Sequence, residues 1–98
     1  MLNKNQIRAL KALAHHLNAT IIIGNNGLSE AVIKEITVAL TAHELIKIKL
    51  PALEHSEQEE LIQNISTNNN CDFVDKIGRI AIFYKENNKK KDKIKLPK

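Results

Sequence analysis

Hydrophobic and polar positions along the chain fall into seven segments of alternating period. From Asn3 to Leu17, the residues Ile7, Leu10, Ala14 and Leu17 recur at helical spacing and make one apolar stripe. Lys4, Arg8, Lys11 and His15 recur at a parallel spacing and make a second, basic stripe on the same helix. Thr20-Ile21-Ile22-Ile23 is β-branched throughout and predicts a strand. It stops at Gly24-Asn25-Asn26-Gly27, after which Ser29 is placed to cap a second helix running to about His43. Leu45 to Leu50 alternates strictly, with Ile46, Ile48 and Leu50 on one face and Leu45, Lys47 and Lys49 on the other. Pro51 ends that strand. His55 to Thr67 predicts a third helix with Leu61, Ile62 and Ile65 inward and its glutamates outward, followed by a loop at Asn68-Asn69-Asn70. Cys71–Ile77 and Arg79–Lys85 predict two strands joined tightly at Gly78.

The order is therefore α-β-α-β-α-β-β. Helices between the first three strands imply parallel crossovers, and the last two strands imply a hairpin. The fold class expected is α/β, built as an α+β two-layer sandwich on a four-stranded mixed sheet. Its second sheet face is left open to water or a charged partner by Lys47 and Lys49. A chain of 98 residues suffices for one such domain. The domain is expected over residues 1–85, with a basic flexible tail over 86–98.

Charge changes the picture more than composition does. The net charge is +4. The seven lysines of residues 85–98, set against Glu86 and Asp92, contribute +5 and leave the body at −1. Within the body the signs are segregated. Met1 to Ser29 holds Lys4, Arg8 and Lys11 and no acid, while Ala52 to Asn70 holds Glu54, Glu57, Glu59 and Glu60 and no base. Such segregation points to one surface that meets a polyanion and another that does not. Apolar runs such as Ile21–Ile23 are far too short to span a bilayer, and the N-terminus lacks a signal core, so a cytoplasmic protein is expected.

The chemistry-bearing residues narrow the choice further. Gly24-Asn25-Asn26-Gly27 lies between a strand and a helix, where glycines permit close backbone approach and the helix start offers free N–H groups to a phosphate. K-homology modules clamp nucleic-acid backbones with a GXXG loop. An ordinary turn would use the same residue types. Neither a Walker loop nor a dinucleotide fingerprint is present. His15 and His16 are helical neighbours and diverge, so no metal site is expected. The single Cys71 sits in a predicted strand, and no nucleophile–base pair can be assembled, so neither catalysis nor a cofactor is expected. Phe73, Phe83 and Tyr84 are the only aromatics, too few for a base-stacking platform of the RRM or OB type.

Four blocks in order resemble the CRM domain (chloroplast RNA splicing and ribosome maturation), in its single-domain YhbY-like form. They are Leu10-Lys11-Ala12-Leu13-Ala14-His15-His16-Leu17, Ile23-Gly24-Asn25-Asn26-Gly27-Leu28-Ser29-Glu30, His43-Glu44-Leu45-Ile46-Lys47-Ile48-Lys49, and Ile77-Gly78-Arg79 with Ile82-Phe83-Tyr84-Lys85. The resemblance implies a sheet of order 1-2-4-3 with the last strand antiparallel, similar to the C-terminal domain of translation initiation factor three. It implies binding to ribosomal RNA of large-subunit precursors, and a role in ribosome assembly. By position it matches Gly24 and Gly27 to the family's loop glycines, and Lys11, His15, Lys47 and Arg79 to basic or polar positions around that loop. Three positions depart from the family pattern: Ala19-Thr20 where a proline often precedes the first strand, Ser29 for threonine, and Lys85 for arginine. The expected RNA-binding set is Lys4, Arg8, Lys11, His15, Gly24, Asn25, Asn26, Gly27, Lys47 and Arg79, in a protein acting as a monomer. A protein–protein adaptor working through the acidic third helix is the competing reading.

Overall fold

The computed structural model describes residues 2–87, 89 and 94–97. Seven elements follow in the expected order: α1 (Lys4–Ala14), β1 (Ile21–Ile22), α2 (Glu30–His43), β2 (Leu45–Lys49), α3 (His55–Asn69), β3 (Asp72–Ile77) and β4 (Ile80–Tyr84). The sheet order is β1-β2-β4-β3. β1 pairs parallel with β2, while β4 lies antiparallel between β2 and β3. The α/β class, the mixed four-stranded sheet and the 1-2-4-3 order are as expected.

Local signals set the element ends. The Asn3 side chain accepts from Gln6 N at 2.8 Å while Gln6 Oε1 accepts from Asn3 N at 3.0 Å, a reciprocal cap on α1. α1 ends at Ala14, earlier than its apolar stripe, with His15 as its C-cap. Ser29 Oγ accepts from Val32 N at the start of α2, as expected. Gly78 takes a φ of +60° at the first position of a two-residue β3–β4 turn, the conformation such tight hairpins demand. α3 runs two residues past Thr67. Asn69 is helical and buried, and its Nδ2 donates to Ile33 O and Thr37 Oγ1, both at 2.8 Å. Asn70 then closes α3 in the left-handed conformation.

The two faces of the sheet carry separate apolar clusters. Ile21, Ile46, Ile48, Ala81 and Phe83 pack with Ile36 and Leu40 of α2 and Leu61, Ile62 and Ile65 of α3. This is the sandwich the alternation of β2 predicts. On the other face Leu45, Ile82, Tyr84 and Val74 pack with Leu10 and Ala14 of α1. That face is therefore partly covered, because the apolar stripe of α1 needs a surface and finds one over the start of β2. Val74 reaches it through a register shift between Phe73 and Asp75 in β3.

The described part of the C-terminal segment also reaches this face. Ile94 and Leu96 pack against the α1 cluster, and Gln6 Nε2 donates to Pro97 O. Glu44, wholly buried with a φ of +60°, accepts from Asn87 N at 2.8 Å and Ile94 N at 2.9 Å through its two carboxylate oxygens. These contacts join described residues of the segment expected as a basic flexible tail to the domain. Residues 90–93, with three of its lysines, lie outside the described residues.

Candidate nucleic-acid interface

Strand register sorts the α1-side face of the sheet into three rows. Leu45–Tyr84–Asp72 is the first, Lys47–Ile82–Asp75 the second, and Ile22–Lys49–Ile80–Ile77 the third. Leu10 and Ala14 of α1 cover the first row and Ile82 of the second. Lys11 Nζ lies 3.0 Å from Asp75 Oδ2 at the end of the second row. The opposite flank of α1 behaves differently. Gln6 and Leu13 border hollows shared with Ile94 and with first-row residues. Lys4, Arg8 and Lys11 of the basic stripe line a separate hollow with Ile7, on the flank of α1 away from the first row.

Other expected site residues collect at the third-row end of the sheet. β1, β2 and β3 all finish there and β4 begins there. Gly24-Asn25-Asn26-Gly27 leaves β1 beside Lys49, where Ile23 N donates to Lys49 O. Arg79 occupies the β3–β4 turn, and its carbonyl accepts from Leu50 N at 2.7 Å. Lys47, one row down, donates from Nζ to Leu17 O at 2.9 Å and so ties the α1–β1 connection to the sheet. The loop, Lys49, Arg79 and the basic flank thus border one surface. His15 is exposed at the C-cap of α1, edge-on to His16.

The cations differ in how committed they are. Lys11 is engaged with Asp75, and the hydrogen bond from its ammonium holds that carboxyl below the usual carboxylate range. Lys4, Arg8, Lys49 and Arg79 have no ion-pair partner among the described residues. Lys49, which sequence reasoning left out of the candidate site, shares its end of the sheet by register: its partner in β1 is Ile22 and its partner in β4 is Ile80. The alternation of β2 held that signal, since it already set Lys49 beside Lys47.

The loop itself is a turn closed by Gly27 N donating to Gly24 O at 3.1 Å. Gly27 has a φ of +73°, so its glycine is required by the backbone. Gly24 has no positive φ, and a Cβ there would meet nothing within 4 Å. On the far side of the loop Asn25, Gly27 and Leu28 share a hollow with Glu57, Glu60 and Asn64 of α3. The loop therefore separates an acidic wall from the basic face. Burial pushes the Cys71 thiol up to about 11, away from the nucleophilic thiolate form. Among the described residues no group of three or more His, Cys, Asp or Glu could hold a metal ion, and no helix is long and apolar enough to cross a membrane.

Comparison with known proteins gives this surface a context. The family model for the CRS1/YhbY (CRM) domain matches residues 2–85. A Haemophilus influenzae protein named RNA-binding protein is 38% identical over 97 residues, covering 99% of this chain and 96% of its own. A Pseudomonas aeruginosa protein named probable RNA-binding protein PA4753 is 36% identical over 88 residues, or 90% of this chain and 85% of its own. The solution structure of SAV1595 from Staphylococcus aureus, a hypothetical protein described as a candidate RNA binder, superposes with a TM-score of 0.84 at 33% identity. It covers 99% of this chain and 100% of its own.

Proposed function

This chain belongs to the CRS1/YhbY (CRM) domain family, and from that membership we propose that it is an RNA-binding protein acting on ribosomal RNA of large-subunit precursors during ribosome assembly. The observation that carries the RNA reading is the gathering of Lys4, Arg8, Lys49, Arg79 and the Gly24–Gly27 loop around one face, with the acids of α3 behind the loop. Phosphates need cations and free N–H groups, and this is where the fold concentrates them. The glutamates of α3 oppose any path over that helix, so the polyanion is directed onto the sheet side. The relatives' names point to RNA, and the large-subunit target is what the resemblance of the four blocks implies.

The test is affinity for a structured large-subunit RNA fragment measured across salt concentrations. Lys4→Glu with Arg8→Glu should weaken binding and flatten the slope of log affinity against log salt by about 1.4 to 1.8, the share of two phosphates. Lys11 is left in place because its loss would strand Asp75. Glu57→Gln, Glu59→Gln and Glu60→Gln together should bind as tightly as wild type or slightly better. If that acidic-helix variant loses ribosome association while the basic-flank variant keeps it, the protein is an adaptor working through α3. Crosslinking in cells followed by sequencing should recover large-subunit precursor RNA, and recovery of other RNAs alone would overturn the target.

A further inference from the structure

We propose that the third row of the sheet is a platform for unpaired nucleotides, so that the RNA taken is a junction between paired and unpaired segments rather than a continuous duplex. The inference rests on the RNA-binding reading of this face and adds what the cations leave unexplained. Ile22 is 70% exposed and Ile77 is 63% exposed, and they stand at opposite ends of one row with Lys49 and Ile80 between them. Three inter-strand spacings make the row about 14 Å long. β-branched side chains presented to water on both edge strands of a sheet are a liability that proteins ordinarily cover or charge. α1 covers the two rows below and stops short of this one.

Charge identifies the occupant. The apolar pair is bordered by Lys49 within the row and by Arg79 in the turn above it, and the flank of α1 away from the first row adds Arg8 and Lys4 to the same side of the sheet. The one carboxylate of the adjoining second row, Asp75, is already neutralised by Lys11. A protein segment apolar enough for the isoleucines would need a dense set of acids for the rest, whereas RNA supplies both requirements in each nucleotide. A paired duplex does not, because its base faces are stacked inside and only backbone and groove edges reach a protein. Only a splayed base offers a flat apolar face to Ile22, Ile80 and Ile77 while its phosphate meets Lys49 or Arg79. Aliphatic contacts carry no donor–acceptor pattern, so the platform distinguishes unpaired from paired nucleotides with little preference among bases. The scarcity of aromatics, which argues against a stacking surface of the RRM type, does not argue against this one.

The test compares two RNAs, a short blunt duplex and the same duplex carrying a single-stranded extension. The full chain should bind the extended form at least about fivefold tighter. Ile22→Asn with Ile77→Asn should reduce that preference to none while leaving blunt-duplex affinity and thermal stability unchanged, since both side chains are already in water. Equal wild-type affinity for the two RNAs would overturn the proposal, as would a double variant that retains the preference or weakens both RNAs alike. If the double variant keeps both affinities and loses only its sedimentation with ribosomal particles, the row docks a protein and the proposal also falls. Failure of the underlying RNA reading looks different: wild type would then show no salt-sensitive binding to either RNA.

Discussion

Lys4 stands in the first turn of α1, which contains no acidic residue. A cation there opposes the positive end of the helix dipole, and stability alone would favour glutamate. A local rule broken without structural return marks a position kept for something else. Lys4→Glu should therefore raise the melting temperature by a few degrees, from about 0.5 kcal/mol of relieved repulsion, while lowering RNA affinity. A variant that is stabilised and binds normally would remove Lys4 from the interface. Gly24 makes a similar argument. Its backbone does not demand glycine and a methyl group would meet nothing, so Gly24→Ala should fold as well as wild type or slightly better. If a phosphate approaches the loop amides, that methyl intrudes and affinity falls, by about tenfold or 1.4 kcal/mol. Gly27→Ala should instead cost about 1 kcal/mol of stability from its positive φ. Asn25→Asp with Asn26→Asp keeps the turn chemistry and adds two charges, so binding should fall at unchanged melting temperature. Wild-type affinity in that folded double variant would show that the loop does not touch RNA.

Elements were legible in the sequence where periodicity is local and opaque where they depend on distant partners. The alternation of Leu45–Leu50 and the capping signal at Ser29 act within a few residues, and both elements formed where the pattern set them. Asn68-Asn69-Asn70 has the composition of a loop, yet Asn69 is helical because its amide bonds to Ile33 O and Thr37 Oγ1, more than thirty residues away. No local pattern encodes that. The open face of β2 was half legible: Lys49 remains accessible, but Leu45 meets α1, whose stripe gave no hint of which face it would cover. Glu44 was the least visible of all. It reads as a helix-end glutamate, and it is a buried carboxylate that accepts two N–H groups from the C-terminal segment. Glu44→Ala should therefore cost about 2 kcal/mol, and the amide of Ile94 should lose protection from hydrogen exchange while that of Ile82 keeps it. Unchanged protection at Ile94 would mean that the carboxylate does not hold the segment. Removing residues 86–98 should likewise lower the melting temperature, since Ile94, Leu96 and both N–H partners of the Glu44 carboxylate would go with them.

At the scale of the whole molecule, the polarity of the fold follows from where its charges attach. α1 brings cations to one sheet face, α3 brings glutamates to the other layer, and the loop after β1 lies at the boundary between them. The sheet order carries one more consequence, for the chain as it is being made. β4 is the last of the four strands to be synthesised and one of the two interior ones, hydrogen-bonded to β2 on one side and β3 on the other. Until residues 80–84 leave the exit tunnel, β3 has no neighbour and β2 has only the two-residue β1. At ordinary elongation rates residues 1–79 take about 4 to 16 s to make. Through that interval Ile21, Ile23, Ile46 and Ile48 lack Ala81 and Phe83, which complete their cluster, so the nascent chain should be a client of holding chaperones. A fragment ending at Gly78 should show no cooperative thermal transition by circular dichroism, whereas one ending at Lys85 should regain it at reduced stability. A folded fragment lacking β4 would mean that the helices can organise the sheet without that interior strand.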